Sequence, residues 1–257
     1  MALLIELHNM PVHTLSKTGR RYSINDYSAT SPTRGDAPGN YNLLGWWRAD
    51  DLGLAGGATV VTWISVVNSI VATSVNSPTY ATADIAGKPT VTFPGSAYFN
   101  LGSPYLNLTD ASTGGNWTIA CVCHASVDSE IVGVAGQNLQ VRKFRSGTNN
   151  ISIYTGGSDV QSNTFTSTAN QAVICWWVHD SSGNMLWYEN KYTRGSTTGY
   201  ANFPSTHNQI GTSGIGGTMT GGMAELCVWR AALTGVQITS LFDTYFQVRY
   251  PGVFYTT

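Results

Sequence analysis

Residues 221–246, "GGMAELCVWRAALTGVQITSLFDTYF", change their hydrophobic period half-way through. Ala224, Leu226 and Val228 alternate with Glu225, Cys227 and Trp229, the period of a β-strand. Thr234 followed by Gln237 then satisfies the capping-box pattern, and Ile238, Leu241, Phe242 and Tyr245 recur at helical spacing. The stretch therefore reads as a strand that delivers the chain into a short amphipathic helix starting near Gly235. The helix is expected to plug an open edge or end of a β-structure, after which "RYPGVFYTT" leaves the domain.

Upstream, from Leu43 onward, short apolar runs alternate with turn clusters: "LLGWWRA", "TVVTWISVV", "PTVTFPG", "WTIACVCHA", "EIVGVAG", "LQVRKF", "ISIYTGG", "QAVICWWVHD", "MLWYENKYT" and "NQIGTSG". Runs of this length, rich in Val, Ile, Thr and aromatics and bounded by Gly, Asn, Ser and Pro, are strands, and their number predicts an antiparallel sandwich. In "WTIACVCHA", Ile119, Cys121 and Cys123 share one face and Ala120 and Val122 the other, so both faces are apolar and the strand is placed near the centre of a sheet. Asp180 to Asn184 supplies turn formers between "VICWWV" and "MLWYE", which predicts a hairpin. No fixed-period repeat occurs.

Only 11% of the 257 residues are charged, well below the roughly 25% of an average globular protein. The formal net charge of -1 provides no field to attract a polyanion, so nucleic acid is not expected as a partner. No stretch approaches the roughly 18 apolar residues of a membrane span, and the start lacks the basic region and small-residue cleavage site of a secretory signal. Cys121, Cys123, Cys175 and Cys227 all lie in apolar strand-like runs, which reads as free, buried thiols. Their spacing, Cys-x-Cys rather than Cys-x2-Cys, does not suit zinc.

Residues 1–40 differ from the rest. "LSKTGRRYSINDYSATSPTRGDAPGN" is polar, unperiodic and punctuated by Pro and Gly, so it reads as an extended arm preceding a single domain over residues 41–257. Its first residues, "MALLIEL", have the composition of one strand, which is stable only when paired with another sheet edge; a frayed terminus is the alternative.

The order of these motifs resembles laminin-G-like domains of the concanavalin-A-like lectin/glucanase superfamily. The resemblance rests on the closing Gly, Ala-Glu strand, Ala-Leu-Thr and helix of residues 221–246. It also rests on "LLGWWRADDLGLAGGATVVTWISVVNS" and "SPTYATADIAGKPTVTFPGSAYFNLG" at the front, and on the hairpin "VICWWVHDSSGNMLWYENKYT", where Lys191 replaces the Gly usual after the Tyr-x-Asn step. It spans roughly residues 43–250 and implies an all-β, antiparallel jelly-roll sandwich with one short C-terminal helix and an extended N-terminal arm. Hydrolases of this superfamily carry Glu-x-Asp-x-x-Glu or Glu-x-Asp-x-Glu arrays, because retaining cleavage needs two carboxyl groups about 5 to 5.5 Å apart. This chain has no such array. Asp128 and Glu130 come nearest, but "HASVDSEIV" places them in a turn. Many laminin-G-like domains also bind calcium through loop oxygens; Asp180 and Asn184 are too few for such a site, and no metal or cofactor is expected.

The five histidines are scattered, no Gly-x-Ser-x-Gly elbow occurs, and His179 beside Asp180 reads as an exposed residue at a hairpin turn, so no catalytic residue is assigned. Binding suits the composition better. Sugars stack on Trp and Tyr and take hydrogen bonds from short polar side chains. Trp46 with Trp47 and Trp176 with Trp177 each send one ring inward and one outward, while Trp63, Trp117 and Trp229 read as core. Trp187, Tyr188 and Tyr192, beside the polar turn of Asp180 and Asn184, are the candidate ligand contacts. The expected role is a non-catalytic structural and adhesive module, a phage capsid decoration or fibre component at the virion surface. It would contact neighbouring subunits through residues 1–40 within a homo-oligomer or larger assembly, and surface glycans through its domain. A lectin on a cell surface or outside the cell, and a glycoside hydrolase with an atypical site, are the alternatives.

Overall fold

The structure is a computed structural model that describes residues 38–39, 41–102, 106–107, 115–126, 129–134, 137–143, 151–155, 159–161, 167–199, 206–212 and 218–253. The sequence reading of residues 1–37 as an arm lies outside the described residues. Short strands follow one another: β1 (Leu43–Arg48), β2 (Thr62–Ile64), β3 (Val71–Val75), β4 (Thr79–Ile85), β5 (Lys88–Pro94), β6 (Tyr98–Leu101), β7 (Leu106–Asn107), β8 (Trp117–Ala125) and β9 (Ser129–Val134). The remainder are β10 (Gln137–Lys143), β11 (Ile151–Thr155), β12 (Asp159–Gln161), β13 (Val173–His179), β14 (Met185–Glu189), β15 (Tyr192–Thr197), β16 (Thr206–His207), β17 (Gln209–Ile210) and β18 (Thr220–Trp229). Two antiparallel sheets of eight strands result, with β7 and β16 forming a small pair. Sheet A runs β15-β14-β13-β8-β18-β5-β4, with β1 also on β18; sheet B runs β12-β11-β10-β9-β17-β6-β3-β2. The molecule is an all-β, antiparallel jelly-roll sandwich.

The stretch at 221–246 organises sheet A. β18 pairs with β8 on one side; on the other it pairs with β5 through Thr220 to Met223 and with β1 through Glu225 to Trp229. Both of its edges are therefore paired, and its two faces fall in two apolar cores, Leu226 and Val228 in one and Ala224, Cys227 and Trp229 in the other, which is why alternate residues on both are apolar. Gly221, at φ 148°, lies too close to the His124 carbonyl to carry a side chain, so the "GG" step is set by backbone approach. At the far end the Thr234 hydroxyl accepts from the Gln237 amide (3.3 Å) and the Gln237 side chain accepts from the Thr234 amide (2.8 Å). This capping box, worth about 1 kcal/mol, starts α1 (Gly235–Leu241) where the spacing predicted it.

The helix does not plug an edge. It lies on the outer face of sheet A, and the chain then widens into a π-turn over Phe242–Phe246 before α2 (Gln247–Arg249). The π-turn keeps Phe242, Tyr245 and Phe246 all buried against the sheet. Two cores result. One lies between the sheets and contains Trp47, Trp63, Trp117, Trp177 and Trp187 with Phe93 and Phe99. The other lies between sheet A and the helix and contains Trp46, Trp176, Trp229, Tyr188 and the helical aromatics. Each Trp pair splits between the layers as alternation predicted, but the outward ring is covered too. Trp176 stacks on Trp229 at 5.9 Å and meets Phe246 edge-on at 5.3 Å. Pro38 and Gly39 are buried in this second layer, where the Trp229 indole donates to the Gly39 carbonyl. Cys121, Cys123, Cys175 and Cys227 are buried free thiols, as read from the sequence.

Candidate functional site

The hairpin singled out by the sequence forms, with β13 and β14 in register from Cys175 opposite Glu189 to His179 opposite Met185. Its turn uses up the two polar candidates. Asp180 accepts from the amides of Ser182 (2.9 Å) and Asn184 (3.0 Å) and from the Asn184 side chain (2.8 Å). Desolvation opposes the Asp180 charge, but these hydrogen bonds and the neighbouring His179 hold its carboxyl below the usual carboxylate range. Both residues serve the turn.

The aromatic candidates do not come together. Trp187 is 1% exposed and faces the core between the sheets, whereas Tyr188 is 5% exposed and faces the helix layer. Successive strand residues point to opposite faces, and here both faces are closed. Burial pushes the Tyr188 phenol up from its ordinary value. Neither ring offers a face to a sugar, which corrects the sequence reading; only Tyr192, on edge strand β15, is half-exposed, with Arg194 5.8 Å from its ring centre. His179 is likewise buried rather than exposed: it is stacked on Trp117, with its Nδ1 2.7 Å from the Gly115 carbonyl.

The acidic side chains that the structure describes are each tied into the fold. Glu225, fully buried where β18 changes neighbours, accepts from Trp46 Nε1 and Tyr245 Oη (each 2.5 Å) and Tyr250 Oη (2.8 Å), and lies 3.1 Å from Arg249 Nε. Burial first, then the Glu225 charge, pushes both tyrosine phenols well up, so they stay protonated as donors. Arg249 also holds Asp50 (2.5 Å), and Arg48 holds Asp51 (2.7 Å). Buried Glu189 takes Arg194 Nε and the Ser167 amide. Asp84 takes His124 Nε2 and the Thr90 hydroxyl, both at 2.7 Å. Lys191 pairs with Asp243 at 2.9 Å and ties the β14–β15 hairpin to the helix. Glu130 lies on β9, opposite Arg142 of β10, and not in the turn read from the sequence; Asp128 lies outside the described residues.

What the sequence did not reveal is a transverse row on sheet B. Thr62 pairs with Thr73, Thr73 with Asn100, Asn100 with Gln209 and Gln209 with Gly133. The register continues through Gln140, Tyr154 and Asp159. The two adjacent rows, Trp63, Ala72 and Leu101 on one side and Phe99, Ile210 and Val132 on the other, lie in the core, so the Thr62, Thr73, Asn100 and Gln209 side chains lie on the opposite, outer face. Thr62, Thr73 and Asn100 are exposed, and neither apolar core of the described residues covers this face. Gln209 is 4% exposed; its Nε2 donates to Asn100 Oδ1 (2.9 Å), while its Oε1 is buried without a hydrogen-bond partner. A buried carbonyl oxygen left unmet costs about 1–3 kcal/mol, and a ligand donor would relieve it. No sequence signal marks this site, because its residues come from separate strands brought level only by cross-strand register. Among the described residues no group of three His, Cys, Asp or Glu side chains is placed to hold a metal.

No protein-family model and no curated protein sequence matches the chain. Solved structures match by fold. Domain 4 of AbnA, an extracellular arabinanase from Geobacillus stearothermophilus, solved with arabinotriose, superposes at a TM-score of 0.57 with 15% identity, covering 78% of this chain and 98% of that one. The binding domain of botulinum neurotoxin serotype G gives 0.54 at 11% identity over 79% of this chain and 51% of its own. Trypanosoma rangeli sialidase in complex with sialic acid gives 0.53 at 13% identity over 85% of this chain. The chain spans only 36% of the sialidase's length. At these identities the likeness is one of fold.

Proposed function

We propose that the chain is a non-catalytic adhesive module that binds a glycan on the outer face of sheet B and is held in a larger assembly, a phage virion surface, by residues 1–40. The observation that carries the glycan reading is the unmet carbonyl oxygen of Gln209 beside exposed Asn100, in a row of amide and hydroxyl residues on the face of sheet B that neither apolar core of the described residues covers. Short polar side chains of this kind take the hydroxyls of a sugar. The arabinotriose and sialic acid named for two structural relatives make arabinan oligosaccharides and sialosides the first probes. The non-catalytic reading is supported by the acids: those with described side chains are engaged by arginine, lysine, histidine, threonine, tyrosine, tryptophan or amide groups, whereas the common glycosidase mechanism needs two carboxyl groups facing a bond.

A glycan array with the full chain tests this. A sugar captured by the native protein should lose at least about tenfold in affinity with Gln209→Ala or Asn100→Ala. Absence of any sugar binding at millimolar concentration would sink the glycan reading, and release of reducing ends from a bound sugar would sink the non-catalytic one. Mass spectrometry of purified particles from the native source tests the virion assignment; a protein found only free outside cells would favour the lectin alternative.

A further inference from the structure

The edges of the two sheets are not treated alike. The β4 edge of sheet A is covered by residues 57–59: the Gly57 amide donates to the Tyr80 carbonyl (2.8 Å), the Tyr80 amide to the Ala58 carbonyl (2.9 Å), and Thr59 bridges Thr79. The β15 edge presents the polar run "YTRGST". β2, one edge of sheet B, has neither protection among the described residues. Ile64 and its cross-strand partner Val71 are 51% and 39% exposed, and Val61, just before β2, is 63% exposed. The large exposed aliphatics elsewhere among the described residues are Val236 and Val248, on the helices. The Val61 carbonyl and the Ser65 amide bond back toward β3, through Ser74 and Ile70. Backbone groups of alternate strand residues point to opposite sides, so those of Thr62 and Ile64 point out from the edge. An open edge with an apolar pair on it is a template for another strand.

We propose that β2 is the acceptor for residues 2–7 of a neighbouring copy, which add to sheet B as a further strand. This rests on the reading of residues 1–40 as the part that contacts neighbouring subunits. In "ALLIEL" alternation sets Leu3, Ile5 and Leu7 on one side and Ala2, Leu4 and Glu6 on the other, so one side can extend the core and the other can place Leu4 near Ile64 and Val71. About thirty residues separate this segment from Pro38, enough to span up to ~100 Å when extended. The chain enters the domain at Gly39 on the helix side of sheet A, and Val61, Ile64 and Val71 at the β2 edge are exposed. A segment that contacts neighbouring subunits meets this edge on the next copy.

Light scattering of the full chain across concentration tests this, alongside two full-chain variants, Leu3→Asp/Ile5→Asp in the arm and Ile64→Lys/Val71→Lys on the edge. The native chain should associate, both variants should weaken association by at least about tenfold, and an excess of a synthetic peptide of residues 1–10 should dissociate the native assembly. Hydrogen exchange at the Thr62 and Ile64 amides should slow with native protein concentration and stay fast in the arm variant, a readout that does not depend on the edge variant folding. A native chain that stays monomeric throughout, or edge amides protected in a monomer, overturns the proposal. Loss of association in the arm variant with the edge variant unaffected also overturns it, while leaving the arm's role as anchor intact. Sugar binding is read separately on the array.

Discussion

Sheet A is buried on both faces and sheet B, among the described residues, on one. The difference follows from the last strand and the helix behind it. β18 sits inside sheet A, and the chain leaving it at Trp229 folds back over the outer face, so the aromatics of β1, β13, β14 and β18 fill two cores. In sheet A an aromatic residue therefore reports packing. In sheet B an outward residue can report function, because the helix does not reach it. The abundance of Trp, which suggests stacking platforms when read along the sequence, belongs almost wholly to the closed sheet, whose strands carry seven of the eight.

Substitutions can break this contrast, and the largest effect is expected at Glu225. Replacing it with Ala removes the shared acceptor of Trp46, Tyr245 and Tyr250 and leaves Arg249 near the interior without its partner, a loss of about 3–5 kcal/mol in denaturant unfolding. A loss below about 1 kcal/mol would mean that the helix layer is not locked to sheet A by this carboxylate. Next comes Gly222, where an added Cβ would fall 2.6 Å from both Asp84 Oδ2 and His124 Nε2; Gly222→Val should cost roughly 1–3 kcal/mol and separate that pair. A smaller effect is expected from acid. The hydrogen bond from His124 lowers the folded-state pKa of Asp84, although desolvation opposes it, so its stabilising contribution is present above the ordinary carboxylate value near 3.8 and is lost as pH falls through the lowered one. Asp84→Asn should accordingly remove part of the fall in stability below about pH 4, seen in melts taken from pH 2 to 6. Smallest in stability is Asn100→Ala, roughly 1 kcal/mol because the Gln209 amide loses its acceptor, while sugar affinity falls. A large stability loss there would place Asn100 with the packing residues of sheet A.

The strands with one strongly apolar face were legible: β1, β8, β13, β14 and β18 lie where the runs "LLGWWR", "WTIACVCHA", "VICWWVH", "MLWYE" and "AELCVW" put them. The capping box located the helix start to the residue. β3 and β4 were not individually legible, because "VATSV" and "TYATADI" carry Thr, Ser and Ala on faces that meet solvent and so lack a clean alternation. The resting place of the helix was also hidden. Period tells which residues face together, not what lies over them, so the outward ring of each Trp pair could be assigned a direction but not its cover. Tyr188 was misread for this reason, and Trp187 because its proximity to a polar turn was taken as exposure. The sheet B row was illegible for a different reason: Thr62, Thr73, Asn100 and Gln209 are spread over nearly 150 positions and meet only through register.

The chain enters through Gly39 under Trp229 and returns at Tyr250 and Val253 in the same helix layer. Both ends of the described domain thus lie on the helix side of sheet A, across the sandwich from the face that carries Asn100. Tension applied between Gly39 and Val253 would load the helix and its aromatic bedding first, so sheet B is mechanically insulated from such a pull.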